Sequence, residues 1–154
     1  MKKLFIYYSN TGNGELVATK LSELGYDIRK VTPKKDLPKA FFFKIMTGGF
    51  LAGINAKAKL VDFEENISEY EKVVIGSPIW NDRFSSPINT VLSKIDFAGK
   101  DVSFVLYAGS GTAKKVLKQI DKLGLDAKCT FLKEPKKYPE ELDKLVKDFG
   151  GLDV

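Results

Sequence analysis

The chain has 154 residues, a formal net charge of +5, 44% hydrophobic residues, one cysteine and no histidine. This length fits one domain spanning residues 1–154 with a sizeable core. The lone cysteine excludes an internal disulfide, and the missing histidine excludes His-based triads and the common zinc sets. The apolar stretches are interrupted by Lys, Gly or Asn before they reach the ~20 residues that span a bilayer, so no membrane insertion is expected. Met1-Lys2-Lys3 leads into an alternating strand rather than an apolar leader, which predicts a cytoplasmic protein. The lysines are spread along the chain without a nucleic-acid motif, so they read as a solvated surface and no nucleic-acid partner is expected.

Residues 3–8 read as a first strand. The loop Ser9, Asn10, Thr11, Gly12, Asn13, Gly14 follows it and opens into an amphipathic helix over 12–24, stopped by Gly25. A strand that turns through small and hydroxylated residues into a helix points backbone N–H groups and the positive end of the helix dipole at one spot, which suits a phosphate. The loop has no Lys or Arg, so a phosphate there would be held by neutral donors. Residues 26–31 alternate like an edge strand, and 41–46 read as a helix broken by Gly48-Gly49. Val73-Val74-Ile75 reads as a short strand covered on both faces. Ser86 and Pro87 mark a helix start at N-cap and N1, with Ile88, Val91, Leu92 and Ile95 as its apolar stripe. A fourth strand follows at 102–107, a helix at 112–123, a fifth strand at 127–132, and a last helix from Pro139. In the fifth strand Cys129 reads as a small buried apolar residue.

Five strands alternating with helices predict an α/β fold with a parallel sheet covered on both faces. Of the two doubly wound orders, 2-1-3-4-5 fits 154 residues better than the Rossmann order. Ligands in such sheets bind beyond the carboxyl ends of the strands at the switch point between the first and third strands. Three loops fall there: residues 9–14; Ser77, Pro78, Ile79, Trp80 and Asn81; and Ala108, Gly109, Ser110 and Gly111. A Rossmann fingerprint fails at Val17 and lacks the ribose-binding acid after the second strand. A Walker A loop lacks its Gly-Lys-Ser/Thr, and a receiver domain would need acids where Tyr8 and Ser9 stand.

With its three loops in this order the chain resembles the flavodoxin family, over nearly its whole length. Ser9-x-Thr11-Gly12-x-Gly14 is similar to the hydroxyl-rich phosphate loop of flavodoxins, and the run from Val73 through Trp80 to their next flavin loop. The resemblance implies a flavodoxin-like three-layer sandwich with the five-stranded parallel sheet in order 2-1-3-4-5, and bound FMN. Ser9 to Gly14 would hold its phosphate, the hydroxyls of Ser9 and Thr11 adding donors. Residues 77–81 would line the ring system with Trp80 stacked on one face, and residues 108–111 would close the other side. No side chain is assigned a catalytic role, and no metal is expected. Gly14 stands where the family carries a hydroxyl, which predicts weaker FMN binding. The fourth-strand loop has no aromatic, so one ring face would be open unless Phe84 or the region near Phe50 covers it. Lys114 and Lys115 would lie near the ring and raise its potential. The function expected is electron transfer between protein redox partners, a reductase and an acceptor. The alternatives are a flavin-dependent NAD(P)H:quinone-type oxidoreductase and, without cofactor, an interaction module.

Overall fold

The computed structural model describes residues 1–35, 57–80, 82–109 and 114–151. The helix expected at 41–46 lies outside them, as do Phe50, Asn81, Ser110 and Gly111. In chain order the described elements are β1 (Lys3–Tyr7), α1 (Asn13–Glu23), β2 (Asp27–Lys30), β3 (Lys72–Trp80), β4 (Arg83–Phe84), α2 (Ser86–Lys94), β5 (Asp101–Ala108), α3 (Lys114–Lys122), β6 (Lys128–Lys133), a 3-10 turn (Pro139–Leu142) and α4 (Asp143–Phe149). The sheet runs β2-β1-β3-β5-β6 with every neighbour parallel, and β4 pairs antiparallel with β3 beside that path. Counting the parallel strands alone, this is the expected order 2-1-3-4-5.

Period-two alternation explains the layers. Leu4 and Ile6 of β1, Val73 and Ile75 of β3, and Phe104 and Leu106 of β5 point to one face, where Ile88 and Val91 of α2 and Val116 and Ile120 of α3 cover them. Phe5 and Tyr7, Val74, and Val105 and Tyr107 point to the other, covered by Val17 and Leu21 of α1 and by Leu145 and Phe149 of α4. Both faces are dry, so the central strands read as continuous apolar runs. β2 lies at the sheet edge, as its polar alternation predicts. Among the described residues no helix is long and apolar enough to cross a membrane.

Two boundaries differ from the sequence reading in ways that affect the site. β3 is nine residues long, so Ser77, Pro78, Ile79 and Trp80 belong to the strand and not to a loop beyond it. Pro78 pairs with Tyr107 in the parallel register, while Ile79 and Trp80 turn back onto Phe84 and Arg83 in a tight hairpin through Asp82, whose φ is +63°. The helix expected at Ser86 and Pro87 also begins one residue early: Ser85 is its N-cap, and the Ser85 hydroxyl makes no cap but pairs with the Ser77 hydroxyl at 2.9 Å.

Candidate functional site

A cleft of about 300 Å³ opens at the carboxyl ends of β1, β3 and β5, at the low end of the range typical of ligand sites. Its walls include Thr11 and Asn13 from the first loop, Pro78 from β3, and Ala108 and Gly109 from the end of β5. The structure therefore brings one part of each expected loop to a single place, where the crossover reverses direction in the sheet.

The first loop is built by a side chain from beneath. Gly12, at φ +96°, occupies the N-cap of α1 in the left-handed region that a Cβ disfavours. Ser9 is buried, and its hydroxyl accepts the Gly14 N–H at 3.0 Å. It also hydrogen-bonds the Glu15 carboxylate. Through the Gly14 bond the Ser9 hydroxyl ties the loop to the first turn of α1. Thr11 differs: it is exposed, and its oxygen accepts from Asn13 Nδ2 at 3.3 Å, leaving its own proton to donate. Burial is the largest influence on Glu15 and pushes its carboxyl up. Hydrogen bonds from Lys30, at 2.7 Å, and from Ser9 outweigh it, so Glu15 lies below the ordinary carboxylate range.

Gly14 has a packing reason that the sequence did not reveal. A Cβ there would lie 2.5 Å from Ser9 Cβ, 2.8 Å from Tyr7 Cδ2 and 2.9 Å from the Tyr107 hydroxyl. The Tyr107 hydroxyl, donating to the Tyr8 carbonyl, fills the space that a side chain at position 14 would need. Burial raises the Tyr107 pKa well above the ordinary phenol value, so this donor keeps its proton.

Trp80 is 1% exposed, packs edge-to-face on Tyr8 at 5.8 Å and belongs to the core under α2 and α3. The sequence placed it on a flavin ring; the longer β3 turns it into the protein instead. Ser77, fully buried, also serves the core, through Ser85. Ile79 is 8% exposed and packs in the same core. Phe84 is fully buried against Phe104 and does not line the cleft.

The cations at the cleft also differ from expectation. Lys114 and Lys115 are exposed but do not line it; the Lys115 amide donates to Asp82 Oδ2 at 3.1 Å. Glu134, Lys136 and Lys137, from the turn after β6, do line it. The Lys136 ammonium donates to the Thr11 carbonyl at 3.2 Å, and its amide to Asn13 Oδ1 at 2.9 Å. The loop that the sequence describes as free of cations therefore has one laid across it. The signal in the sequence was position: residues 134–137 follow a parallel strand, at the same edge as the other loops.

An unfilled polar group and a bare surface test whether these residues suit FMN. Among the described residues Asn10 Nδ2 is buried without a hydrogen-bond partner, and Gly109 leaves open the space beside the Glu134 carboxylate, 3.4 Å from where a Cβ on Gly109 would stand. The exposed Thr11 hydroxyl, a helix N-terminus without a side-chain cap at Gly12 and the Lys136 ammonium form a donor-rich end suited to a phosphate, beside a small-residue end at Pro78, Ala108 and Gly109 suited to a flat ring. The residues fit the group.

Known proteins agree with this reading of the fold. A flavoprotein of Bacteroides eggerthii is similar over 98% of this chain and 99% of its own, at 22% identity and a TM-score of 0.78. A Lactobacillus acidophilus flavoprotein in complex with FMN is similar over 90% and 97%, at 18% identity and a TM-score of 0.65. A flavodoxin from the domain Archaea is similar over 97% and 96%, at 15% identity and a TM-score of 0.54. At these identities the likeness is one of fold. No curated protein matches the chain in sequence. The sequence model described as Flavodoxin matches residues 2–137, which supports FMN as the cofactor and takes in all the loops described above, and on that match the chain belongs to the flavodoxin family.

Proposed function

We propose that this protein binds FMN in the cleft at β1, β3 and β5 and transfers electrons between protein partners, a reductase and an acceptor. The observation that carries the reading is the convergence of Thr11, Asn13, Pro78, Ala108 and Gly109 on one cleft at the switch point of the sheet. When bound, FMN supplies reversible electron chemistry at its ring. The chain supplies the rest. Thr11, Asn13 and the start of α1 would meet the phosphate. Pro78, Ala108 and Gly109, with little or no side chain, would let backbone groups approach the ring edge. Tyr107 beneath them donates a hydrogen bond to the Tyr8 carbonyl and so supports the loop.

Titrating the apoprotein with FMN tests the reading: flavin fluorescence should be quenched to a stoichiometric end point, and a protein that takes up no FMN refutes it. A second reading, a flavin-dependent NAD(P)H:quinone-type oxidoreductase, is favoured by the cleft wall. Among the described residues lining it, Tyr107 is the one aromatic and is buried beneath the loop, so one ring face would be open to a small substrate. Stopped-flow mixing of the FMN-loaded protein with NADPH separates the two: rapid bleaching of the flavin identifies the enzyme, and an unchanged spectrum the carrier.

A further inference from the structure

The turn after β6 carries a feature that packing does not explain. The aliphatic stem of Lys136 crosses Gly12 so closely that a Cβ there would lie 3.6 to 3.9 Å from its Cδ, Nζ and Cε. The ammonium at its tip donates to the Thr11 carbonyl and, among the described residues, forms no ion pair. An ammonium has three donors, so two remain beyond the bond to Thr11, on a residue that lines the cleft. The location is electrostatically unfavourable without a counter-charge, because the N-terminus of α1 is itself positive and stabilises anions. Glu15, the acid in that first turn, is already matched by Lys30. The Glu134 carboxylate, which also lines the cleft, stands against Gly109 and forms no ion pair with Lys136.

The turn is also held in place under strain. Glu134 has φ +30°, a left-handed conformation for a residue with a side chain, and its carbonyl accepts the N–H groups of both Lys137 and Tyr138. The Lys136 amide is pinned to Asn13 at 2.9 Å, so the turn is registered against the loop it covers. Strain kept by surrounding structure accompanies ligand clamps.

We propose that Lys136 is a phosphate clamp: its ammonium leaves the Thr11 carbonyl for the phosphate dianion of the cofactor and adds one positive charge to the otherwise neutral donors of the 9–14 loop. This rests on the FMN reading above and assigns to the same site a recognition element from the far end of the chain. The clamp compensates for the side-chain hydroxyl that Gly14 cannot supply. It makes the site selective for phosphorylated flavin over riboflavin.

The test compares FMN with riboflavin, which lacks the phosphate, by fluorescence titration of the full chain at low and high salt. Lys136→Met keeps the apolar stem over Gly12 and removes the charge, and Lys136→Arg keeps the charge; circular dichroism checks that both are folded. A charge-assisted hydrogen bond predicts that Lys136→Met weakens FMN binding by about tenfold to a hundredfold. Riboflavin binding should stay within about twofold, salt should weaken FMN binding less than in the wild type, and Lys136→Arg should retain most of the affinity. An unchanged ratio of FMN to riboflavin affinity in Lys136→Met overturns the clamp, and so does an equal loss for both ligands, which would mark Lys136 as a support of the loop. Either result leaves the FMN reading standing if the wild type binds FMN. A wild type that binds neither flavin removes both.

Discussion

Restoring the family's side chain at position 14 should harm this protein rather than improve it. The Cβ of Gly14→Ala would meet Ser9 Cβ at 2.5 Å and Tyr7 Cδ2 at 2.8 Å, where carbon atoms in ordinary contact stand about 3.5–4.0 Å apart. Neither neighbour gives way cheaply: Ser9 Cβ is bonded to the loop backbone, and the Tyr7 ring stacks on Phe5 at 5.2 Å with an interplanar angle of 1°. The third contact, the Tyr107 hydroxyl at 2.9 Å, is tied to the Tyr8 carbonyl. Overpacking of this kind costs about 1–3 kcal/mol. A displaced Ser9 would also lose the Gly14 N–H bond, worth about 1 kcal/mol. The helix propensity of Ala over Gly returns at most about 1 kcal/mol. The net expectation is a loss of about 1–3 kcal/mol, which urea denaturation would read as a midpoint lowered by about 1 M at a typical slope of about 1–3 kcal/mol/M. Gly14→Thr, which rebuilds the family's hydroxyl, should be less stable still and bind FMN no more tightly than the wild type. Adding Tyr107→Phe removes one of the three close contacts, so the double variant should lose less than the sum of the single losses. A Gly14→Ala midpoint equal to or above that of the wild type would refute this account of the loop.

Three further outcomes are expected. Tyr107→Phe should cost about 1–3 kcal/mol through the lost hydrogen bond to the Tyr8 carbonyl, measured by thermal or urea unfolding. Because the folded pKa of Tyr107 lies well above the unfolded value of 10.0, its contribution is complete below pH 10 and is lost as pH rises beyond it, by up to about 1.4 kcal/mol per pH unit. A wild-type stability flat from pH 10 to 12, or as steep in Tyr107→Phe, would contradict this. Trp80→Ala should destabilise by about 3–5 kcal/mol, while the milder Trp80→Phe keeps FMN affinity within about twofold; a Trp80→Phe variant of normal stability that has lost FMN would return the indole to the flavin. Cys129 is raised from 9.0 to about 11, by burial first and by Asp121 second, so its alkylation at pH 8 should be about a hundredfold slower than that of an unshifted thiol. Alkylation of the folded protein at the rate of the urea-unfolded chain would show an open thiol instead.

The fold was legible because burial on both faces leaves a local imprint. Val73-Val74-Ile75 and the run after Val102 are apolar at successive positions because both faces of those strands are covered, and the polar alternation of 26–31 reflects an edge. The first loop was legible for the same reason, since strand, loop and helix are contiguous. Trp80 stands apart from the expected loop because β3 continues past Pro78. Proline lacks only a donor, and at the end of β3 it keeps its place in the parallel register opposite Tyr107. The packing that demands Gly14 was hidden because Tyr107 reaches it from another strand.

Lys136 shows most clearly what sequence order conceals. It lies 125 residues from the carbonyl it bonds, and no local pattern marks it among 25 basic residues. Its significance comes from the sign of the field at the place where the fold puts it. A lysine at a helix C-terminus is stabilised by the dipole and calls for no further explanation, as with Lys20 in the last turn of α1. A lysine at the opposite end of the same helix opposes the dipole, and on an open surface its long side chain would turn to solvent. Here the Asn13 carboxamide pins its backbone and the bare α-carbon of Gly12 seats its stem, so the chain spends structure on keeping the charge in an unfavourable field. An arriving dianion reverses the sign of that interaction. The cation and the helix N-terminus then attract the same group, and those two attractions outweigh the repulsion between them.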